Sequence, residues 1–190
     1  IVEQFVSMLE SSEEMFAYAL DVIASGKTKR GRKKIYGRDK TINLTEQDIR
    51  RQILIHLSAN PECNLPACLV LMSITKDAER IGDYIKNFFE LRNMLGESDT
   101  DRELFVELFK ENGEELMDLF ASVSDSFSES DQEKASEAVQ SAHGISDRCE
   151  TIIAEVLESD YSTRIAVVIV LGARYMKRIA RHLANIASSV

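Results

Sequence analysis

The chain has 190 residues, 44% of them apolar and 7% aromatic, with two prolines, no tryptophan and a net charge of −9 at pH 7. That composition describes a soluble, mostly helical protein and disfavours a sandwich or barrel. Its three cysteines, Cys63, Cys68 and Cys149, are odd in number and form no CxxC pair, which disfavours a disulfide framework or a zinc knuckle and points to a reducing cytoplasm.

Val2, Phe5, Val6, Leu9, Phe16, Leu20 and Ile23 recur at three- and four-residue steps and predict a first helix ending near Gly26. A second helix carries Ile42, Ile49, Ile53 and Leu57. Its start has two candidates, because Thr45 with Asp48 reads as a capping box and Asp39 reads as an earlier cap. Pro61 and Pro66 break the chain, and Asn64 then caps a third helix through Ile74, Ile81, Ile85, Phe88 and Leu91, which Gly96 closes.

The same plan recurs. Ser98 with Asp101 opens a helix through Leu104, Phe105, Leu108, Leu116, Leu119, Phe120 and Val123. Ser130 with Glu133 opens another through Val139, Ala142, Ile145, Cys149, Ile152, Ile153 and Leu157, and a last helix starts near Asp160. The expected fold is therefore all-α, with two tandem antiparallel three-helix bundles over residues 1–97 and 98–190. Bundles this small bury a limited core and gain from packing on each other. The Met and aromatic residues on the stripes read as core. No segment reads as a signal peptide, and the longest apolar run, Ile165 to Ala173, is less than half of the roughly 20 residues a spanning helix needs.

A repeated motif sharpens this picture. Residues 79–87, ERIGDYIKN, and residues 177–185, KRIARHLAN, share an Arg-Ile pair, a small residue and a closing Asn. The acids Glu79 and Asp83 of the first copy are the bases Lys177 and Arg181 of the second. Glu79 and Asp83 stand four apart, so they project from one helix face. Lys76, Arg80 and Lys86 lie within three residues of one or other acid, which makes a solvated ion-pair face the plain reading. A hard-metal site built from carboxylates is the sharper one. Asp77, two residues from Glu79, points elsewhere.

The segment LMSITKDAERIGDYIKNFFEL (residues 71–91), the preceding IRRQILIHLSANPECNLP (49–66) and the six-helix layout resemble the PhoU family of cytoplasmic phosphate-uptake regulators. The resemblance implies two tandem three-helix repeats with an acidic motif in each that binds iron or another metal such as zinc. Glu79 and Asp83 match that motif, whereas Lys177 and Arg181 in the second repeat repel a cation. Asp39 is followed four residues later by Asn43 rather than by an acid. At most one metal site is therefore expected, in the first repeat. The implied partners are a phosphate transporter and a sensor kinase, with the protein peripheral to the inner membrane face and a homodimer compatible with the layout. Because the chain begins at Ile1, a cytoplasmic domain of a sodium/phosphate cotransporter is a close variant of this reading.

Two basic features complete the set. Arg174, Lys177, Arg178, Arg181 and His182 form a cationic strip on the last helix. It suits an anion, an acidic partner, or Glu79 and Asp83 themselves if the bundles face one another. Residues 27–40, KTKRGRKKIYGRDK, carry eight Lys or Arg against one Asp, among them Arg30, Arg32, Lys33 and Lys34. Read as a loop, this stretch would meet anionic lipid, polyphosphate or an acidic partner surface. Nucleic acid is the weaker expectation, since the acidic body repels a long polyanion and Tyr36 is the stretch's one aromatic.

An enzyme is not expected. A ferritin-like site needs Glu-x-x-His pairs, yet Ile53, Gln140 and Ile179 precede His56, His143 and His182 by three. There is no phosphate-binding glycine loop, nucleophile elbow or HExxH. The alternatives to a regulator are a metal-binding or metal-storage protein and a polyanion-binding module.

Overall fold

The apolar stripes fall on six long helices in a computed structural model that describes residues 1–26, 31–60, 62–96 and 98–190. They are α1 (Val2–Ala24), α2 (Arg32–Ala59), α3 (Leu65–Glu90), α5 (Asp99–Glu129), α6 (Gln132–Leu157) and α7 (Thr163–Ala187), with a single turn, α4 (Arg92–Leu95), after α3. No strand occurs among the described residues, and no described helix is long and apolar enough to cross a membrane.

Two of the expected caps form. Asn64 accepts a hydrogen bond from the Ala67 N–H and Ser98 from the Asp101 N–H, each at 3.2 Å. Gly96, at φ 72°, closes α4 in a conformation that favours glycine. Three boundaries differ from the sequence expectation. Helix α2 begins at Arg32 behind Gly31, at φ 95°, so Asp39 and Thr45 lie inside it and most of the basic stretch is helical rather than a loop. Arg and Lys are good helix formers, and buried Ile35 extends the stripe of Ile42, Ile49 and Ile53 backwards. Helix α6 is capped by Asp131, which accepts from the Glu133 and Lys134 N–H groups at 3.0 Å, while Ser130 ends α5 at φ 55°. Helix α7 starts behind Ser162 rather than near Asp160. Leu157, assigned to the buried stripe, sits at the end of α6 and is 78% exposed. Pro61 lies outside the described residues.

Helices α1, α3, α7 and α5 close a four-membered ring, each packed on the next. Helix α2 covers α1 and α3 from outside, and α6 covers α5 and α7. The two three-helix sets thus share one centre, which relieves the small-core problem that each would face alone. Phenylalanines join them: Phe16 stands 5.8 Å from Phe88 and 6.1 Å from Phe120, ring centre to ring centre. Phe88 in turn lies 5.9 Å from Phe105, which is 4.7 Å from Phe109. Such tilted pairs add about 0.5–1.5 kcal/mol each beyond the area they bury.

Gly172 on α7 makes room for this cluster, since a β-carbon there would stand 2.9 Å from one Phe105 ring atom and 3.0 Å from Phe109. Alanine usually gains about 1 kcal/mol over glycine inside a helix. Here the rings would have to move, so Gly172→Ala is expected to destabilise the protein by about 1–3 kcal/mol. Chemical denaturation checks this; an unchanged or raised midpoint would contradict the close packing.

Candidate functional site

The face shared by α2 and α3 gathers the acids that the repeated motif singled out. The helices run antiparallel in a register set by Lys86 against Asp39 and by Ile42 against Gly82. That register places Asn43 near Asp83 and Glu46 opposite Glu79. Lys86 Nζ donates to both carboxylate oxygens of Asp39 at 2.9 Å and to Asp83 Oδ1 at 2.8 Å. Burial alone would lower the pKa of the Lys86 ammonium, but hydrogen bonds to Asp83 and Asp39 outweigh it and raise the pKa above the usual lysine value. Glu79 Oε2 is enclosed and forms an ion pair with Lys76 Nζ at 2.8 Å. Buried Glu46 pairs with Arg50 at 3.0 Å, and the enclosed Asn43 Oδ1 has no hydrogen-bond partner.

Glu79 and Asp83 therefore face different ammonium groups. Among the described residues, no three acid side chains bring carboxylate oxygens within 4.8 Å of one another. An iron or zinc ion of the kind the resemblance implies would have to displace Lys86 from between Asp39 and Asp83. As they stand, these residues do not fit a metal cluster.

The charge reversal does not pair the repeats in the expected way. Lys177 turns to Glu150 on α6, within its own repeat, and its hydrogen bond holds the Glu150 carboxyl below the usual range. Arg178 and Arg181 are exposed, with Arg181 beside a shallow hollow between α6 and α7. Among the described residues, Asp77 instead makes a polar link between the repeats. Its Oδ1 lies 2.6 Å from His182 Nδ1 and 3.1 Å from Asn185 Nδ2. A carboxylate can only accept, so His182 donates through Nδ1. The Tyr84 ring stacks on His182 with centres 5.6 Å apart. Asp77 lies off the Glu79 face, as its spacing predicts, and the face it occupies is the one that meets α7.

The basic stretch is partly ordered by rings. Lys34 Nζ sits 4.1 Å from the centre of the Tyr18 ring and the Arg32 guanidinium 5.1 Å from that of Tyr36. Arg38 pairs with Glu14, and Lys33 is exposed beside an open depression that Lys34, Gly37 and Tyr18 also line. Arg30 lies outside the described residues. Arg32, Lys33 and Lys34 occupy the first turn of α2, which has no acid. Cations there oppose the positive end of the helix dipole, a local conflict that an incoming anionic group would relieve.

Burial alone would raise the pKa of the Asp77 carboxyl, but the His182 and Asn185 hydrogen bonds outweigh it and hold it below the usual carboxylate range. A depressed carboxyl stabilises the fold above its unfolded pKa, and that contribution fades as pH falls through the folded value. Asp77→Asn should therefore cost about 1 kcal/mol at pH 7, with the gap to the natural protein closing below about pH 4. Unfolding midpoints at several pH values check it; a gap that persists in acid would contradict this account.

The sequence profile of the PhoU domain matches residues 5–91 and again residues 109–190. No curated protein sequence matches the chain. Among solved structures, the chain is similar to the phosphate transport system regulatory protein PhoU from Streptococcus pneumoniae, with a TM-score of 0.86 at 19% identity, covering 98% of this chain and 89% of that one. It is similar also to PhoU from Pseudomonas aeruginosa, with a TM-score of 0.85 at 19% identity, covering 98% and 91%.

Proposed function

The chain belongs to the PhoU family, and from that premise we propose that it regulates phosphate transport by docking on an acidic surface of a phosphate transporter at the cytoplasmic face of the membrane. A sensor kinase is the second partner in this reading, and no substrate is turned over. The observation that carries the docking surface is the uncapped, acid-free start of α2, where Arg32, Lys33 and Lys34 stand against the helix dipole on a chain of net charge −9. Cations on an acidic body are a local exception, and an exception that costs stability is a candidate contact. The exposed Arg178 and Arg181 on α7 extend the same chemistry to the second repeat.

Association of the purified chain with its phosphate transporter in membrane fractions tests this. Replacing Arg32, Lys33 and Lys34 together by Ala should slow association about tenfold or more at low salt and flatten its salt dependence. Association that is unchanged by the substitutions and insensitive to salt would remove the surface from the account. Vesicles with anionic headgroups serve as the comparison, because binding to them alone would assign the cations to lipid rather than to a protein partner.

No metal step belongs to this reading, since Lys86 already neutralises Asp39 and Asp83. Elemental analysis of protein purified without chelator is expected to give the same metal content for the natural chain and for a Glu79→Ala, Asp83→Ala variant. The loss of about one iron or zinc per chain in that variant would restore the metal-storage reading.

A further inference from the structure

The carboxylate face is not where the described residues bring ligand atoms together. His56 near the end of α2, Cys63 in the turn and Cys68 in the first turns of α3 place one nitrogen and two sulfurs within 4.8 Å of one another. The turn that converges them is tied by backbone hydrogen bonds. The Asn60 N–H donates to the His56 carbonyl at 3.0 Å, the Cys63 N–H to Asn60 at 3.1 Å, and the Cys68 N–H to Asn64 at 3.1 Å. Counted from the Asn64 cap, Cys63 precedes the cap and Cys68 is the fourth helical residue. Those positions commonly hold a pair of apolar side chains that fixes the entry of the chain. A staple of that kind accounts for two thiols in contact. It does not account for an exposed imidazole from the other helix aimed at both.

We propose that His56, Cys63 and Cys68 form a zinc site at the tip of the α2–α3 hairpin, with water as the fourth ligand. Two thiolates and an imidazole in a tetrahedral arrangement are the donor set that zinc takes, and carboxylate-seeking cations such as magnesium or calcium do not compete for sulfur. With Zn–S of about 2.3 Å and Zn–N of about 2.0 Å, donor atoms stand roughly 3.5–3.8 Å apart. Closing from a spread of at most 4.8 Å asks for about 1 Å of side-chain movement. Binding forms two Zn–S bonds and one Zn–N bond, releases the two thiol protons to solvent and involves no redox change. Asn60 Nδ2, 3.2 Å from His56 Nδ1, can only donate to that nitrogen, so binding of zinc through Nε2 requires the amide to turn and offer its oxygen to an Nδ1–H. The site is separate from Glu79 and Asp83, whose nearest cations are lysines of their own helix.

The full chain, reduced and freed of metal by chelation, is titrated with zinc against a chromophoric competitor and separately with cobalt. One ion per chain and a thiolate-to-cobalt charge-transfer band are expected. Cys63→Ser and Cys68→Ser should each weaken binding by more than about 100-fold, since losing a ligand costs more than losing a partner behind one. His56→Gln, at an exposed position, should weaken it while leaving the unfolding of the metal-free protein unchanged. The Glu79→Ala, Asp83→Ala variant should bind as the natural chain does. Equal affinity in the natural chain and the Cys→Ser variants, a cobalt spectrum without the thiolate band, or closure of a Cys63–Cys68 disulfide in the presence of zinc would each overturn the assignment.

Discussion

The phenylalanine cluster at the centre of the four-helix ring is the contact on which the remaining structure depends. Phe16 and Phe88 come from the first repeat, Phe105, Phe109 and Phe120 from the second, and their rings touch in series. Neither half could bury these rings alone. Phe88 carries α3 into this cluster and Gly172 of α7 packs on Phe105 and Phe109, so the cluster sets where the two motif copies meet. Asp77, His182 and Asn185 are brought together by that packing, while α2 and α6 pack on the ring from outside.

The first-repeat face shows how one lysine changes the meaning of a motif. Glu79 and Asp83 have the spacing and the helix face that a metal needs. Yet Lys86, one turn on, reaches both Asp83 and the buried Asp39. A buried carboxylate without a cation is costly, and the structure meets that demand with an ammonium from its own sequence. The enclosed Asn43 Oδ1 on the same face has no hydrogen-bond partner, and its amide brings no charge of its own to hold a cation. The PhoU profile covers both repeats, and the fold holds at 19% identity to the solved relatives.

Much of the fold was legible because helix stripes and caps are local. Phe5, Phe16, Ile74, Ile81, Phe105 and Phe120 were placed in the core by spacing alone, and all are buried. Asn64 and Ser98 were read as caps from their own side chains and the following few residues. The start of α2 was misplaced because cations in a first turn oppose the helix dipole and so resemble a loop; buried Ile35 was the signal that contradicted this. Leu157 was misassigned because periodicity does not reveal that a helix outruns its partner. The site residues were less legible, since they depend on contacts across helices. Nothing near Asp77 in the sequence announces His182, 105 positions away. The cysteines lack a CxxC spacing, and His56, seven residues before Cys63, completes the trio across a turn that sequence spacing does not measure.

Helix α2 runs without interruption for 28 residues, about 42 Å at 1.5 Å per residue. Its cationic beginning and its thiol-flanked end are consequently opposite poles of one stiff rod. A protein or headgroup seated on the first pole would leave the second uncovered, so an ion or another molecule can occupy the far end at the same time without the two competing for space.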